Sequence, residues 1–309
     1  MRLAILDLGT NTFNLLVAEV NDKEYRILYN GRLAVKLGRG GIQNNRILPE
    51  AIQRGMEALT KHHQTYTAFG DIKVLAFATS VFRSTINGKE FVSKIKHRFG
   101  IDVQIIDGNR EADLIYYGVR RSVDLSEKYL ILDIGGGSNE FIIADNNQVF
   151  WKQSFPLGMA RLLEKFNLSD PIRENEIIAL ENYFEEELKP LFTAFNKYHP
   201  SLLVGDEGSF ETLYAMIHQL DYHTFPRINM ASENLSLEKL EHLHLLLLKS
   251  NTEQRSLLQG LDPIRIEMIV PASIFIRFII RRLNISQLKV SFYSLKEGAL
   301  FEWIDEQKI

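Results

Sequence analysis

The sequence contains no cysteine among its 309 residues. This absence excludes disulfide scaffolds, thiolate zinc sites and cysteine nucleophiles. Long apolar runs are also missing: the longest, residues 271–280, includes Arg277 and falls far short of the about 20 residues that span a bilayer. Asp7 lies where a signal peptide would have its apolar core. We therefore expect a cytoplasmic protein with no membrane partner.

A strong excess of charge of either sign is missing as well. The chain has 36 Lys+Arg against 39 Asp+Glu, for a net charge of −3, which excludes a general nucleic-acid coat and a basic membrane-surface protein. Hydrophobic residues make up 45%, the balance of a globular protein with a sizeable core. At roughly 100–200 residues per domain, the length predicts two domains.

The most informative feature present is an internal repeat. Residues 4–17 can be laid over residues 130–143, with Asp7 over Asp133 and Gly9 over Gly135, an offset of 126 residues. Each copy is an apolar run, an acid, a turn of small polar residues and a second apolar run, which predicts a β-hairpin. Two such hairpins predict two related α/β domains that face each other.

Other segments alternate between strand and helix patterns. This alternation predicts mixed or parallel sheets covered by helices, with a domain boundary near residues 120–125. Helices are expected to begin at Pro49 and, with Ser236 as an N-cap, at residue 237. The predicted strands are residues 73–78, 103–106 and 202–205, and the further predicted helices are residues 177–195, 237–248 and 271–283.

The turns of the two hairpins are candidate phosphate sites. Small residues at 9–12 and 135–138 allow backbone N–H groups to converge on an anion, with hydroxyls and an amide as further donors. The first turn alone is better explained as a plain hairpin. Three consecutive glycines in the second turn lower strand stability, which is best explained by close approach of the backbone to a ligand. Together the turns predict a cleft that holds phosphate from both sides.

Two further segments are candidate phosphate contacts, and each also has an ordinary structural explanation. Gly208 and Ser209 follow a strand and precede a helix, where Ser209 could bind phosphate oxygens or serve as an ordinary N-cap. Arg83 follows the strand at residues 73–78, where its guanidinium could hold a phosphate with two hydrogen bonds or lie exposed in a loop.

Acidic residues flank these turns. Asp7, Asp133 and Glu140 lie beside the hairpin turns, and Glu111 lies in the segment 107–114. Carboxylates beside a phosphate cleft are electrostatically unfavourable unless they hold a metal or handle a proton of water. The alternatives are turn-forming side chains bonded to backbone N–H groups and, for Glu111, a first-turn helix acid favoured by the helix dipole.

The histidines do not form a metal set. His62, His63, His242 and His244 fall on helical patterns where we expect solvated side chains. The sequence therefore offers carboxylates and phosphate loops, and no histidine site, for chemistry.

Together these motifs resemble the Ppx/GppA family of exopolyphosphatases and guanosine pentaphosphate phosphohydrolases. The resemblance implies the α/β class with two actin-like (ribonuclease H-like) domains and an active-site cleft between them. In this short two-domain form, residues 1–122 plus 295–309 would form the first domain and residues 123–294 the second. The matching segments are residues 7–12, 78–87 with Arg83 and Asn87, 108–112, 133–140, 156–158 and 295–300.

The resemblance also assigns roles. It implies Glu111 as the catalytic base that activates water, and Asp133 and Glu140, with Asp7 as a further candidate, as ligands of Mg²⁺ or another divalent cation. This chain departs from the family pattern at Arg110, where a second acid is common. Another departure is Ser209 in place of threonine. The implied phosphate-binding residues are Gly9, Thr10, Asn11, Thr12, Arg83, Gly135, Gly136, Gly137, Ser138, Gly208 and Ser209.

The implied reaction is hydrolysis of the terminal phosphate of inorganic polyphosphate, with guanosine pentaphosphate as the alternative substrate. Two other classes stay open: an actin-like sugar or acetate kinase, and a non-catalytic nucleotide-sensing module. The sequence has no feature that indicates the acceptor pocket or the adenosine site of a kinase. We expect no nucleic-acid partner, and the resemblance implies a homodimer.

Overall fold

The computed structural model describes residues 1–123, 125–206, 208–224 and 230–307. The first half of the chain contributes five strands and four helices. In chain order they are β1 (Arg2–Leu8), β2 (Thr12–Asn21), β3 (Glu24–Ala34), α1 (Pro49–Thr67), β4 (Lys73–Ala78), α2 (Ser80–Ser84), α3 (Gly88–Phe99), β5 (Val103–Ile105) and α4 (Gly108–Ser122).

The second half of the chain contributes the other elements that the structure describes. In chain order they are β6 (Tyr129–Ile134), β7 (Asn139–Ala144), β8 (Val149–Phe155), α5 (Met159–Phe166), α6 (Glu174–Glu187), α7 (Lys189–Tyr198), β9 (Leu202–Asp206), α8 (Gly208–Tyr222), β10 (Ser232–Asn234), α9 (Leu237–Lys249), α10 (Thr252–Ser256), α11 (Ile269–Arg282), β11 (Leu288–Ser291) and α12 (Leu295–Glu306). Short 3₁₀ helices lie at Ile42–Asn44 and Pro263–Arg265.

The two sheets have the same topology. The first has the strand order β3-β2-β1-β4-β5, and the second has β8-β7-β6-β9-β11 with β10 added at the edge. In each sheet a hairpin of antiparallel strands is followed by a parallel strand beside the first strand, β4 beside β1 and β9 beside β6. The sequence repeat is therefore a repeat of fold, and the predicted class of two actin-like α/β halves is confirmed.

Strand alternation produces separate cores on the two faces of each sheet. In β1, Leu3 and Ile5 face a core shared with the second sheet, whereas Ala4 and Leu6 face a core under α1 and α3. The inner faces of both sheets enclose α4 and α12. A third core lies between the outer face of the second sheet and the helices that follow β8.

Helices α4 and α12 cross at two glycines. A Cβ atom on Gly298 would lie 1.7 Å from the carbonyl oxygen of Leu114, and one on Gly118 would lie 2.3 Å from that of Ser294. Only glycine allows backbones this close. Helix α12 thus packs on α4 and on the first sheet. The domain boundaries at residues 122 and 295 stay a proposal, and residues 308 and 309 lie outside the described part of the chain.

Two predictions about helices are wrong. The single helix predicted at residues 177–195 is two helices, α6 and α7, because Leu188 leaves helical geometry (φ −94°, ψ 11°) and Pro190 lies in the first turn of α7, where proline is tolerated. His62 and His244 are buried rather than solvated. His62 Nε2 is 2.9 Å from the oxygen of Phe13.

Most other predicted elements are confirmed within one or two residues, including the helix start at Pro49 and the Ser236 N-cap, which accepts a hydrogen bond from the Lys239 N–H at 3.3 Å. Among the described residues, no helix is both long enough and apolar enough to cross a membrane.

Candidate active site

A polar cleft of about 90 Å³ lies between the two halves, where the hairpin turns meet. Helix α8 and the 3₁₀ turn Pro263–Arg265 complete its wall. The lining residues are Asp7, Gly9, Thr10, Asn11, Thr12, Asn14, Arg32, Thr79, Ser80, Glu111, Asp133, Ile134, Gly135, Gly136, Gly137, Ser138, Gly208, Arg265, Ser294 and Leu295. The structure therefore gathers both predicted turns and three of the four predicted acids in one cavity.

The two turns have the same hydrogen bond and touch each other. The Gly9 N–H donates to the Thr12 carbonyl at 2.9 Å, and the Gly135 N–H donates to the Ser138 carbonyl at 3.0 Å. A Cβ atom on Gly136 would lie 2.2 Å from Asn11 Nδ2. A Cβ atom on Gly137 would likewise lie 2.7 Å from Thr10 Oγ1. Contact with the opposing turn therefore requires these two glycines, which the sequence did not indicate.

Glu111 lies in the first turn of α4 and faces the cleft. The Asp107 side chain caps this helix by accepting a hydrogen bond from the Arg110 N–H at 2.8 Å. Arg83 donates from Nη1 to Glu111 Oε2 at 3.0 Å and to the Ile106 carbonyl at 2.7 Å. These bonds direct Arg83 at the carboxylate and fix the position of Glu111.

The environment of Glu111 favours its protonated form. Burial raises the pKa of Glu111 well above its usual range, and the charges of Glu140 and Asp133 act in the same direction. The positive charge and hydrogen bond of Arg83 oppose this shift. A carboxyl group with a raised pKa can accept a proton at a pH closer to neutrality than an exposed one can.

Glu140 lies behind the second turn, opposite Asp133 in the β6–β7 register. Its Oε1 accepts hydrogen bonds from Ser138 at 2.7 Å and from Ser154 at 2.6 Å. Burial raises the pKa of Glu140, and the two serine bonds oppose the shift. Glu140 is therefore a buried carboxylate held by two hydroxyls at the edge of the cleft.

The first hairpin places a different partner beside its acid. Asn14 lies opposite Asp7 in the β1–β2 register and donates from Nδ2 to Asp7 Oδ2 at 2.7 Å. Thr10 in the same turn is buried, and among the described residues its Oγ1 has no hydrogen-bond partner. A hydroxyl without a partner in the cleft wall suits a ligand oxygen.

The third loop contributes one residue to the cavity wall. Gly208 lines the cleft with a positive φ of 49°, which glycine adopts without strain. Ser209 is 2% exposed and lies behind the wall, with its Oγ 3.5 Å from Arg265 Nη1. Glu207 of this loop lies outside the described residues.

Sequence reasoning missed two arginines in the cleft wall, Arg32 and Arg265. Arg265 is half-buried, and desolvation, followed by the charge of Arg32, lowers the pKa of its guanidinium. Within the described residues its Nε has no hydrogen-bond partner. Neither arginine lies in a recognisable motif, so only the fold could reveal them.

The donor set fits Mg²⁺ held jointly with phosphate. In the described ranges, no three histidine, aspartate or glutamate side chains are arranged as a closed metal site. Mg²⁺ is usually bound through one or two carboxylates together with substrate phosphates and water. Asp133 and Asp7 line the cleft as such carboxylates. A cation would offset the carboxylate repulsion that adds to burial in raising the pKa of Glu111.

The fold and the cleft thus define a two-lobed α/β protein with a polar cleft between duplicated hairpins. Residues 16–307 match the model of the Ppx/GppA phosphatase family. The chain belongs to this phosphohydrolase family.

Individual relatives agree with this assignment. The crystal structure of an exopolyphosphatase from Cytophaga hutchinsonii is 37% identical, with a TM-score of 0.96 over 99% of this chain and 98% of that one. Exopolyphosphatase 1 of Mycobacterium tuberculosis is 24% identical over 99% of this chain and 89% of its own length. A bifunctional 3-dehydroquinate synthase/phosphatase of Fusobacterium nucleatum is 29% identical over 98% of this chain. The match spans 47% of that protein, about half its length.

Proposed function

We propose that this protein is an exopolyphosphatase that releases orthophosphate from the end of inorganic polyphosphate. The observation that carries the proposal is the position of Glu111, a buried carboxylate with a raised pKa in the wall of a cleft formed by two glycine-rich turns. The exopolyphosphatase relatives from Cytophaga hutchinsonii and Mycobacterium tuberculosis support the choice of polyphosphate.

The reaction requires one proton transfer and one in-line displacement. A water oxygen forms a bond to the terminal phosphorus while the bridging P–O bond breaks, and the shortened chain leaves with the electron pair of that bond. Glu111 accepts the proton of the attacking water, and Arg83 holds its carboxylate in place. The terminal phosphoryl group lies between the two turns, where backbone N–H groups and the Thr10 hydroxyl donate to its oxygens.

Charge stabilisation comes from the arginine in the wall and from a cation. Arg265 faces the cleft beside Gly208 and offsets the negative charge of the phosphoryl oxygens. Mg²⁺ held by Asp133, with Glu140 and Asp7 as the further candidates, would neutralise non-bridging oxygens when bound. Positioning and charge stabilisation supply most of the rate enhancement in phosphoryl transfer.

The deciding experiment compares substrates side by side. Phosphate release is measured from polyphosphate and from guanosine pentaphosphate, each with and without Mg²⁺, and ATP with a panel of sugars serves as the kinase control. Faster release from polyphosphate that depends on Mg²⁺ supports the proposal. Preference for guanosine pentaphosphate would indicate the other activity of the family. Sugar phosphorylation would indicate a kinase, and no turnover would indicate a sensing module.

The homodimer and the cytoplasmic location stay predictions.

A further inference from the structure

Three cavities meet at Arg32. This residue lines the catalytic cleft of about 90 Å³ and also lines two larger neighbouring cavities of about 440 and 490 Å³. The cleft is small beside its neighbours. A chain of phosphates with its end in the cleft therefore has room to continue only where a larger cavity adjoins it, and Arg32 stands at that junction.

Arg32 is held by two carboxylates from the opposite half of the molecule. On β3, its Nη1 donates to Glu211 Oε2 at 2.8 Å, and its Nη2 is 2.9 Å from Asp262 Oδ2. Glu211 lies in the first turn of α8, which begins with the cleft residue Gly208. Asp262 also accepts a hydrogen bond from the Ile264 N–H at 2.9 Å, which caps the turn that carries Arg265.

The geometry resembles the recognition of an anion by a guanidinium. Arg32 presents its two terminal nitrogens to two different carboxylates. The same two nitrogens could bind two oxygens of a single phosphate, the bidentate arrangement that arginine favours. Arg32, Arg265, Glu211 and Asp262 together balance two positive charges with two negative ones. When phosphate enters, the carboxylates and the phosphate oxygens compete for the same guanidinium.

We propose that Arg32 is the subsite for the phosphate groups behind the terminal one, and that Glu211 and Asp262 occupy it as internal competitors until the substrate chain displaces them. The inference rests on the proposed function and deepens it, because it assigns an exit path to a linear phosphate chain. It also makes the affinity for long substrates a balance between two sets of anions.

The test compares a one-phosphate ligand with a three-phosphate ligand. Orthophosphate and tripolyphosphate are titrated into the full-length protein by calorimetry in EDTA, which prevents metal-dependent turnover. Arg32→Gln is expected to raise the Kd for tripolyphosphate about tenfold, the size of one lost charge-assisted contact. Its Kd for orthophosphate should change less than about twofold, because that ligand fits within the cleft.

The competing carboxylates give the opposite expectation. Glu211→Gln and Asp262→Asn should each lower the Kd for tripolyphosphate, by about three- to tenfold, because each removes an anion that competes for Arg32. Two controls match these variants. Glu267→Gln removes a similar ion pair across the two halves, Lys36 to Glu267 at 3.0 Å, that does not line the cleft. Arg26→Gln removes an exposed arginine from the same strand. Neither control should alter either Kd.

The proposal has two parts, the phosphate subsite at Arg32 and the competition by the two carboxylates, and each of the following results would overturn one of them. Equal weakening of both ligands in Arg32→Gln would mean that the residue only shapes the cleft, and no weakening would mean that no phosphate binds there. Weaker tripolyphosphate binding in Glu211→Gln would mean that the carboxylates support the subsite rather than compete for it. Because Arg32→Gln leaves two carboxylates without this partner, Arg32→Lys is measured beside it, with thermal melts of both. Arg32→Lys keeps the positive charge but loses the planar guanidinium with its two terminal nitrogens. This variant is expected to raise the Kd for tripolyphosphate about threefold.

Failure of the subsite and failure of the proposed function are separable. Phosphate release by the unaltered protein in Mg²⁺ is measured independently of the calorimetry. Absence of release with chain-length-dependent binding intact would refute the hydrolase alone. Normal release with unchanged binding in every Arg32 variant would refute the subsite alone.

Discussion

The two hairpins that form the cleft have the same strand pairing but different residues opposite their aspartates. Asn14 lies opposite Asp7, and Glu140 lies at the equivalent place opposite Asp133. The amide of Asn14 donates directly to its aspartate. An ionised glutamate cannot donate, and Glu140 instead accepts from two serines. The first hairpin therefore places an amide donor beside its acid, whereas the second places another acid opposite Asp133, near Glu111.

The comparison indicates that the duplicated backbone forms both walls of the cleft, whereas the side chains that differ determine where its negative charge lies. Two identical turns would hold an anion symmetrically, with no preferred side for the attack of water. Burial is the main cause of the raised pKa of Glu111, and the negative charges of the second hairpin act in the same direction. On the proposed function, the acidic hairpin marks the side of the cleft where the attacking water loses its proton.

The largest expected effect tests this acidic side. Glu111→Gln keeps the size and hydrogen-bonding capacity of the side chain but removes the base, so kcat for phosphate release should fall by about 10²–10⁴-fold. Binding of substrate should stay similar or tighten as charge repulsion is lost. Asp113→Asn, on the same helix and paired with Lys152 near the surface, is the control and should leave kcat nearly unchanged. Near-normal turnover in a folded Glu111→Gln protein would move the search for the base to Asp133.

Two substitutions then give each hairpin the type of side chain, amide or carboxylate, that the other has opposite its aspartate. Glu140→Gln makes the second hairpin resemble the first and should lower turnover by about 100-fold, with part of the loss restored by raised Mg²⁺ if Glu140 helps to hold the cation. Asn14→Asp makes the first hairpin resemble the second. The added negative charge beside Asp7 should raise KM for polyphosphate about tenfold, with a smaller change in kcat.

Steady-state kinetics over a range of Mg²⁺ concentrations measures both variants. A loss in Glu140→Gln that ignores Mg²⁺ would assign Glu140 a role apart from the metal. An Asn14→Asp protein with unchanged KM would show that the hydrogen bond between Asn14 and Asp7 does not set the charge of the cleft.

A smaller effect is expected one layer behind the acidic hairpin. Ser154→Ala removes one of the two hydroxyls that hold Glu140 Oε1, and loss of such a supporting contact is expected to lower kcat/KM about tenfold. Ser154→Thr keeps a hydroxyl and should restore most of the activity. Equal activity of the alanine and threonine variants, measured with matched thermal melts, would show that packing at this position matters and the hydrogen bond does not.

The smallest effect concerns stability against pH and a buried histidine of the second half. Burial lowers the pKa of His244 to about 4 from an ordinary value of 6.5, while its Nδ1 lies 3.0 Å from Ser273 Oγ. The unfolded chain therefore binds more protons than the native protein as the pH falls below 6.5. The contribution of His244 to the free energy of unfolding is therefore fully present above that pH and is lost as the pH falls towards 4. Lowering the pH to about 5.5 should remove about 1 kcal/mol of the free energy of unfolding through this group.

Denaturant unfolding at both pH values, compared with His244→Gln, measures this contribution. The acid-induced loss should be smaller by that amount in the variant. His62 in the first half, whose pKa burial also lowers, remains in both proteins and supplies a shared background. An identical pH response in the two proteins would contradict the assignment to His244.

Features that depend on short stretches of consecutive residues were predictable from the sequence. The hairpins, the turns and the first-turn position of Glu111 follow from short runs of apolar, small and acidic residues, whose preferences act locally. The offset of 126 residues between Asp7 and Asp133 was sufficient to place two similar hairpins in two similar sheets. Their roles in catalysis stay predictions, since geometry alone does not measure turnover.

Features that depend on contacts between distant residues were not predictable. Arg32 and its partner Glu211 are separated by 179 residues, and no local pattern distinguishes either from an ordinary surface charge. Ser154 is an intermediate case, because the β7–β8 register that places it opposite Glu140 would follow from a correctly predicted hairpin. The burial of His62 and His244 depended on neighbours that the helical pattern did not specify.

The position of α12 between the sheets has a consequence for the order of folding during synthesis. The core that β1 and α4 share is completed by Leu300, Phe301 and Ile304, which are translated long after α4 ends at Ser122. At about 5–20 residues per second, the roughly 170 intervening residues take about 10–35 s to emerge from the ribosome. Throughout that interval the first sheet and α4 lack the apolar side chains of α12, so their shared core is completed only after the last helix has been made.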